Sequence, residues 1–394
     1  MKKPALRTVL LAALYGFVAG AAAAAVLWLM GLVSGMVWSG SRPRWYVFVM
    51  VMAGGVLIAV LRYWYVGEGL SEQIEKATRR ADAQKARDAL LLALMAIVAV
   101  GFGGAVGPEA GILAVVSELS GLVSMLIARN AAEARFIAET GAAGALGGLY
   151  GSPPGGAMLS QDEHAAPRWQ IYLAGVAGLL GFLLTASRIL PGNPIRIELP
   201  PHVSARDGSD MFAAVLPAMV GAASGLLFVL VLPRIEKHLH RLGNIHLQTI
   251  VGTALFAALA TCFPILLFSG HHELDSMLSW AQDAGMGALL VLALLKALAL
   301  ALCLASGWRG GAAFPLLFIG AAAGAATLVL VPQIPVTVAL VAGMSAALTV
   351  GMGRPIAAML IAVLLIGPAA LGPLCMGCLV GWGVSSLAPA PKLH

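Results

Sequence analysis

Eleven apolar stretches, most of them close to the length of a bilayer crossing, follow one another along the chain of 394 residues: 8–36, 45–63, 89–104, 110–127, 170–186, 212–232, 248–268, 286–305, 315–331, 335–350 and 355–386. A helix needs about 20 apolar residues to span hydrocarbon. Only 11% of the residues are charged, where a soluble domain carries about 25%. The chain therefore reads as an all-α integral membrane protein. Some stretches are too long for one crossing and others too short. With 47 Gly and 21 Pro, this irregularity predicts broken, tilted or re-entrant helices, whose freed backbone groups must be buried in protein or line a polar cavity.

The start, "MKKPALR", is basic, but the apolar run behind it is too long for a signal peptide, so it predicts a retained first helix. The basic stretches 75–88 and 233–242 belong on the cytoplasmic side under the positive-inside rule, which supports a cytoplasmic N-terminus. A net charge of +6 then needs no nucleic-acid partner. The four cysteines, Cys262, Cys303, Cys375 and Cys378, all lie in apolar segments and predict inert thiols rather than a redox or metal pair. His271, His272 and Glu273 read as a solvated loop, and no metal or other cofactor is expected.

The most polar stretch, 191–210, falls near the midpoint and divides the chain into a first repeat, 1–200, and a second, 201–394, with no soluble regulatory domain. Each half has similar events in similar order. The first has "GGAVGPEAGI" and later "TGAAGALGGLYGSPPGGAML"; the second has "SGWRGGAAFPLLFIG" and later "AGMSAALTVGMGRPIAAMLI". Weak internal symmetry with matched Gly/Pro interruptions is the mark of inverted-repeat transporters, whose broken helices meet near the bilayer midplane with their N-termini aimed at the substrate.

One charge stands out among these breaks. Glu109 lies inside about thirty residues that otherwise belong in hydrocarbon. Pro108 suits a first helical turn, because its missing N–H would have no intrahelical partner. Glu109 then sits beside free backbone N–H groups that, with the helix dipole, favour negative charge. The run "GGAAFPLLFIG" repeats the device, with Pro315 leading into a helix. Two such N-termini facing one another would hold a dehydrated anion by partial charges alone, where a fixed Lys or Arg would hold it too tightly. Ionised, Glu109 can occupy the anion's place; protonated, it can move aside. An ionisable group at this depth is a functional candidate; the alternative is a carboxylate that only caps its own helix.

These residues resemble the CLC family of chloride channels and chloride/proton antiporters. The family's G-[RK]-E-G-P motif lies over Gly107-Pro108-Glu109-Ala110-Gly111, and G-I-F-A-P over Gly311-Ala312-Ala313-Phe314-Pro315. The run "GSPPGGAMLSQDE" places Asp162 and Glu163 over two acidic family positions, and G-S-G-I-P-E is matched loosely by residues 67–72. The four elements keep the family's order and spacing over nearly the whole chain, most like a bacterial subgroup with a G-P-E core. The resemblance implies CLC-type inverted-topology repeats, a homodimer with one pathway per subunit, Glu109 as gate, and Glu163 as the group that passes protons to the cytoplasm. It also implies an anion pathway lined by Gly107, Pro108, Ala110, Gly111, Glu68, Gly311, Ala312, Ala313, Phe314 and Pro315.

The departures are specific. Glu68 stands where the family has a central Ser, and a Met expected there in the fluoride-exporting branch is absent, which disfavours that branch. No counterpart of the family's central Tyr is visible near the C-terminus, and the Phe of G-I-F-A-P is shifted by one, to Phe314. Glu68 is either a third titratable group in the pathway or a carboxylate in cytosolic water beside the basic stretch. Glu163 is either the proton donor or an interfacial charge beside His164 and Arg168. Three functions follow from these alternatives: exchange of chloride or a similar small monovalent anion against protons, a passive anion channel, or a cation or proton pathway lined by carboxylates. Neither H-E-x-x-H nor G-x-S-x-G is present, and an enzyme is not expected. The dimer interface is expected on 170–186 and 212–232 with parts of 355–386.

Overall fold

The computed structural model describes residues 6–64, 83–160, 169–190, 197–205, 207–270, 273–367 and 370–387. Among them are sixteen α-helices. The first half contributes α1 (Leu6–Val37), α2 (Arg44–Trp64), α3 (Ala83–Gly101), α4 (Glu109–Ile127), α5 (Ala131–Leu149), α6 (Pro153–Ser160) and α7 (Trp169–Ile189). After the midpoint come α8 (Ser209–Ala213), α9 (Val215–His240), α10 (Ile245–Cys262), α11 (Leu274–Ala284), α12 (Ala288–Ala305), α13 (Ala313–Ala326), α14 (Val336–Met352), α15 (Pro355–Ile366) and α16 (Leu371–Leu387). Seven helical segments among the described residues are long and apolar enough to cross a membrane; α13 to α16 are apolar but shorter.

Three boundaries differ from the apolar pattern, each for a local reason. The stretch 355–386 is two helices, parted after Gly367, whose φ of 91° no other residue adopts easily. The stretch 248–268 stops being α-helical at Cys262, because Pro264 follows and opens a short 3₁₀ turn, Pro264–Leu266. Helix α5 fell in no apolar stretch at all. It carries Glu133, Glu139 and four glycines, and it is held by packing rather than by hydrophobicity.

That packing rests on small residues, which let helix backbones touch where lipid supplies no hydrophobic drive. Gly16 and Gly20 of α1 lie against Ala174 and Gly178 of α7 in a parallel register, and Gly144 of α5 fits between them. A Cβ at Gly20 or Gly178 would overlap backbone that cannot move aside. The second half repeats the device: Gly221 of α9 and Gly320 of α13 both meet Gly343 of α14. Every residue of α13 is buried, as suits a helix that is apolar on all sides.

Two charged residues fix the arrangement at its edges and centre. Arg7, at the start of α1, pairs with Glu133 at 2.8 Å and donates to the Ile127 carbonyl at 2.6 Å. The end of α4 and the start of α5 therefore lie on the face where α1 begins. Lys296 of α12 is fully buried. Its ammonium donates to the carbonyls of Leu266, Leu267 and Phe268 at 3.0, 3.0 and 2.7 Å and lies 5.1 Å from the Phe318 ring centroid. The same loop is tied to the first half by the Phe268 N–H, which donates to the Gly103 carbonyl at 3.1 Å.

Candidate ion pathway

The two Gly-rich breaks meet. Gly107 and Gly311 form an antiparallel bridge, each N–H donating to the other's carbonyl, at 2.8 and 2.9 Å. From this bridge the two helices depart. Helix α4 begins at Glu109, with Pro108 as its cap. Helix α13 begins at Ala313, two residues before the proline expected to open it. Pro315 fits as the third helical residue, since first-turn N–H groups have no intrahelical partner to lose.

Glu109 is 5% exposed. Its carboxylate folds back over the bridge, and a Cβ at Gly107 or Gly311 would overlap it. Both positions thus need glycine while the carboxylate is seated there. The backbone N–H groups of Ala313 and Phe314, and that of Glu109 itself, lie within reach of it. The positive ends of two helices therefore converge on one carboxylate. The Tyr150 hydroxyl donates to Glu109 Oε1 at 3.3 Å, while Oε2 has no hydrogen-bond partner among the described residues. Tyr150 ends α5, and its ring leans on Phe314 with centroids 5.6 Å apart.

A cavity of about 560 Å³ reaches Glu109. Ala110, Gly311, Ala312 and Ala313 line it near the bridge, and Arg62, Arg309 and Arg354 line it as well. The last turns of α2 and α9 supply Arg62, Glu236 and His240. Since α1 crosses and α2 returns, this cavity lies toward the face where α1 begins.

Of the residues singled out in the sequence, Gly107, Glu109, Ala110, Gly311, Ala312, Ala313 and Phe314 come together here. Gly111 faces Met30 and Ala96 instead, and so serves the packing of α4 on α1 and α3. Pro108 caps and Pro315 is buried within α13. Glu68, Asp162, Glu163, His271 and His272 lie outside the described residues. Among the cysteines, Cys303 and Cys378 are buried, Cys375 is half-buried and Cys262 is exposed, and all four are free thiols. Tyr150 and the three arginines were not foreseen. Tyr150 sits in "LYGSPPGG", which reads as a loop, and the arginines come from three elements far apart in sequence.

Comparison with known proteins decides the family. The sequence pattern described as voltage gated chloride channel matches residues 54–386. The chain belongs to this family, the CLC family. A relative from Salmonella choleraesuis (strain SC-B67), carrying the name ion-transport protein YfeO, is 30% identical over 289 residues, 72% of this chain and 68% of its own length. Among solved structures, a slow cyanobacterial Cl⁻/H⁺ antiporter aligns with TM-score 0.80 and 18% identity over 99% of this chain and 96% of its own. A CLC-type fluoride/proton antiporter aligns with TM-score 0.79 and 16% identity over 98% and 97%. This CLC member is accordingly a membrane transport protein with the CLC fold of inverted-topology repeats, and not an enzyme.

Proposed function

We propose that this CLC protein exchanges chloride or a similar small monovalent anion against protons, with Glu109 as the gate. One observation carries the reading: the Glu109 carboxylate sits over the Gly107–Gly311 bridge, where two helix N-termini converge, and holds a single side-chain donor there. Such a place favours any small anion. The carboxylate competes for it when ionised, and protonation weakens its hold on the N–H groups. A buried oxygen without a donor makes the seated form the less costly one to leave. Two proteins of the same fold are anion/proton antiporters, and exchange is therefore the reading put to the test first.

The remaining parts of the reading are proposals of the same kind. Glu163 passes protons to the cytoplasmic side, and Glu68 is a further carboxylate of the pathway. The chain divides near residue 200 into its two repeats, the termini face the cytoplasm of a bacterial inner membrane, and the protein is a homodimer. The dimer face lies on 170–186 and 212–232 with parts of 355–386, where exposed apolar side chains such as Leu180, Leu184, Met219 and Leu379 stand out.

Reversal potentials in liposomes under crossed chloride and pH gradients test the function. A coupled exchanger responds to both gradients. A response to chloride alone would replace the exchanger with a channel, and indifference to chloride would replace both with a cation pathway.

A further inference from the structure

Helix α9 is longer than a bilayer crossing requires. It runs for 26 residues, about 39 Å, against a hydrocarbon thickness of about 30 Å. Its apolar run ends at Leu232, and Pro233 to His240 continue the helix for roughly two more turns. These turns belong to the face where α1 begins, because one side of them lines the cavity that lies toward that face.

The two sides of this extension differ. Leu232, Glu236 and His240, each about one turn apart, line the cavity. Arg234, Lys237, His238 and Arg241 follow the same spacing on the other side and are exposed. Arg234 donates to the Leu230 carbonyl at 2.6 Å and His238 Nδ1 to the Arg234 carbonyl at 2.7 Å, both within the helix. Arg234, Lys237 and Arg241 have no carboxylate partner among the described residues. Like charges at this spacing repel. The helix dipole favours only those of the last turn, which leaves out Arg234.

The surroundings fix the depth of the stripe. A tight turn follows it, with Gly243 at φ 71°, and α10 returns into the protein. Leu242, Ile245 and Leu247, at this turn, are exposed. The end of α2 stands beside α10: the Tyr63 ring lies 5.8 Å from that of His246, and Arg87 lies 5.8 Å from the centroid of Trp64. Tyr63 and Trp64 are themselves exposed. Exposed aromatic rings and cations at helix ends mark the level of lipid headgroups. The stripe on α9 therefore stands at the level of the phosphates, with apolar side chains next to it where acyl chains begin.

The stripe is also too long for one phosphate. From Arg234 to Arg241 it extends about 10 Å along the helix and carries three permanent positive charges. A single phosphodiester supplies one negative charge at one place. Two phosphates joined through a glycerol supply two, spaced along the stripe, and each can accept charge-assisted hydrogen bonds.

We propose that Arg234, Lys237 and Arg241 form a docking site for an anionic phospholipid with two phosphates, of the diphosphatidylglycerol kind. The site rests on the placement of the protein in a membrane and not on the transport reading above. Seated there, the lipid steadies the last turns of α9, whose opposite side is a wall of the cavity.

The test uses the purified full-length protein, delipidated in detergent and titrated with diphosphatidylglycerol or phosphatidylglycerol. Native mass spectrometry counts the bound lipid, and the melting temperature is followed alongside, since a ligand of the folded state raises it. Diphosphatidylglycerol should bind more tightly than phosphatidylglycerol and raise the melting temperature more. Lys237→Gln and Arg241→Gln should each weaken its binding roughly fivefold, the effect of one cation near an anionic headgroup. Arg241→Lys keeps the charge and should bind almost as wild type does. Arg188→Gln removes one exposed cation from the last turn of α7, on the opposite face, and should leave binding unchanged. The substituted side chains are all exposed; Arg234→Gln stands in for a variant that does not fold. Unchanged binding in folded Lys237→Gln and Arg241→Gln protein, or an equal loss in Arg188→Gln, would overturn the site. Phosphatidylglycerol that binds as tightly as diphosphatidylglycerol would overturn the two-phosphate headgroup.

Discussion

Tyr150→Phe isolates one interaction of the gate. The substitution removes the hydroxyl that donates to Glu109 Oε1 at 3.3 Å and leaves the ring that packs on Phe314. Apolar burial and volume are almost unchanged, so the cost falls on the hydrogen bond. A bond to a charged acceptor is worth roughly 1.5–3 kcal/mol, but this one is long, and about 1 kcal/mol is the better figure. A donor stabilises the ionised, seated carboxylate. Its loss should lower the ratio of seated to displaced Glu109 by about fivefold. The sign for pH follows: with the ionised form less stable, protonation occurs at higher pH, and the midpoint of acid activation should rise by about 0.7 pH unit. The assay is anion efflux from liposomes across a pH series, with size-exclusion chromatography to show that the variant is folded. A midpoint that stays put would remove Tyr150 from the gate. A midpoint that falls would mean the hydroxyl favours the neutral acid, and the seated-carboxylate picture would be wrong.

Three further outcomes follow from the same structure. Glu109→Gln imitates the protonated gate and should give anion flux without coupled protons and with little dependence on pH; arrested flux would show that Glu109 is no competing gate, and retained proton pumping would shift the role to Glu68 or Glu139. Lys296→Met leaves the carbonyls of Leu266, Leu267 and Phe268 without their buried donor, which should destabilise the protein by about 3 kcal/mol and lower its melting temperature in detergent by several degrees; an unshifted melting curve would contradict this. Gly178→Leu drives a side chain into the backbone of Gly144 and should abolish monodisperse protein, while Gly121→Leu, which meets only open space, should be tolerated; equal behaviour of the two would refute the small-residue seam.

How much of this could be read in the sequence depends on the range of the interaction. Interrupted helices announce themselves locally, because Gly and Pro change the backbone where they stand. Hence both breaks and Glu109 at the head of α4 were legible in a single pass. Helix α5 was not, since its glycines and two glutamates give no apolar period, and it is the grooves of α1 and α7 that hold it in place. Lys296 could have been found. It is the one charge in "ALLVLALLKALALALCLA", and a lone cation in such a run must meet acceptors somewhere; what cannot be read is that three successive carbonyls of a distant loop would meet it.

Arg62, Arg309 and Arg354 could not be read as a group from the sequence. Partial charges on helix ends suffice for a dehydrated anion, and the sequence argument took a fixed cation to be a trap. That holds for a tight site, where an ion pair has lost its water. It does not hold for a cavity of about 560 Å³, in which water screens the attraction. Arg62 closes a crossing, Arg309 lies in the second break and Arg354 joins α14 to α15. Each taken alone is a cation at a helix end. Only the fold brings them to one chamber below Glu109, and it does so through the same interruptions that build the bridge. The breaks therefore do two things: they turn two helix N-termini toward the Glu109 carboxylate at the centre, and they bring side chains of the adjoining helix ends to one cavity.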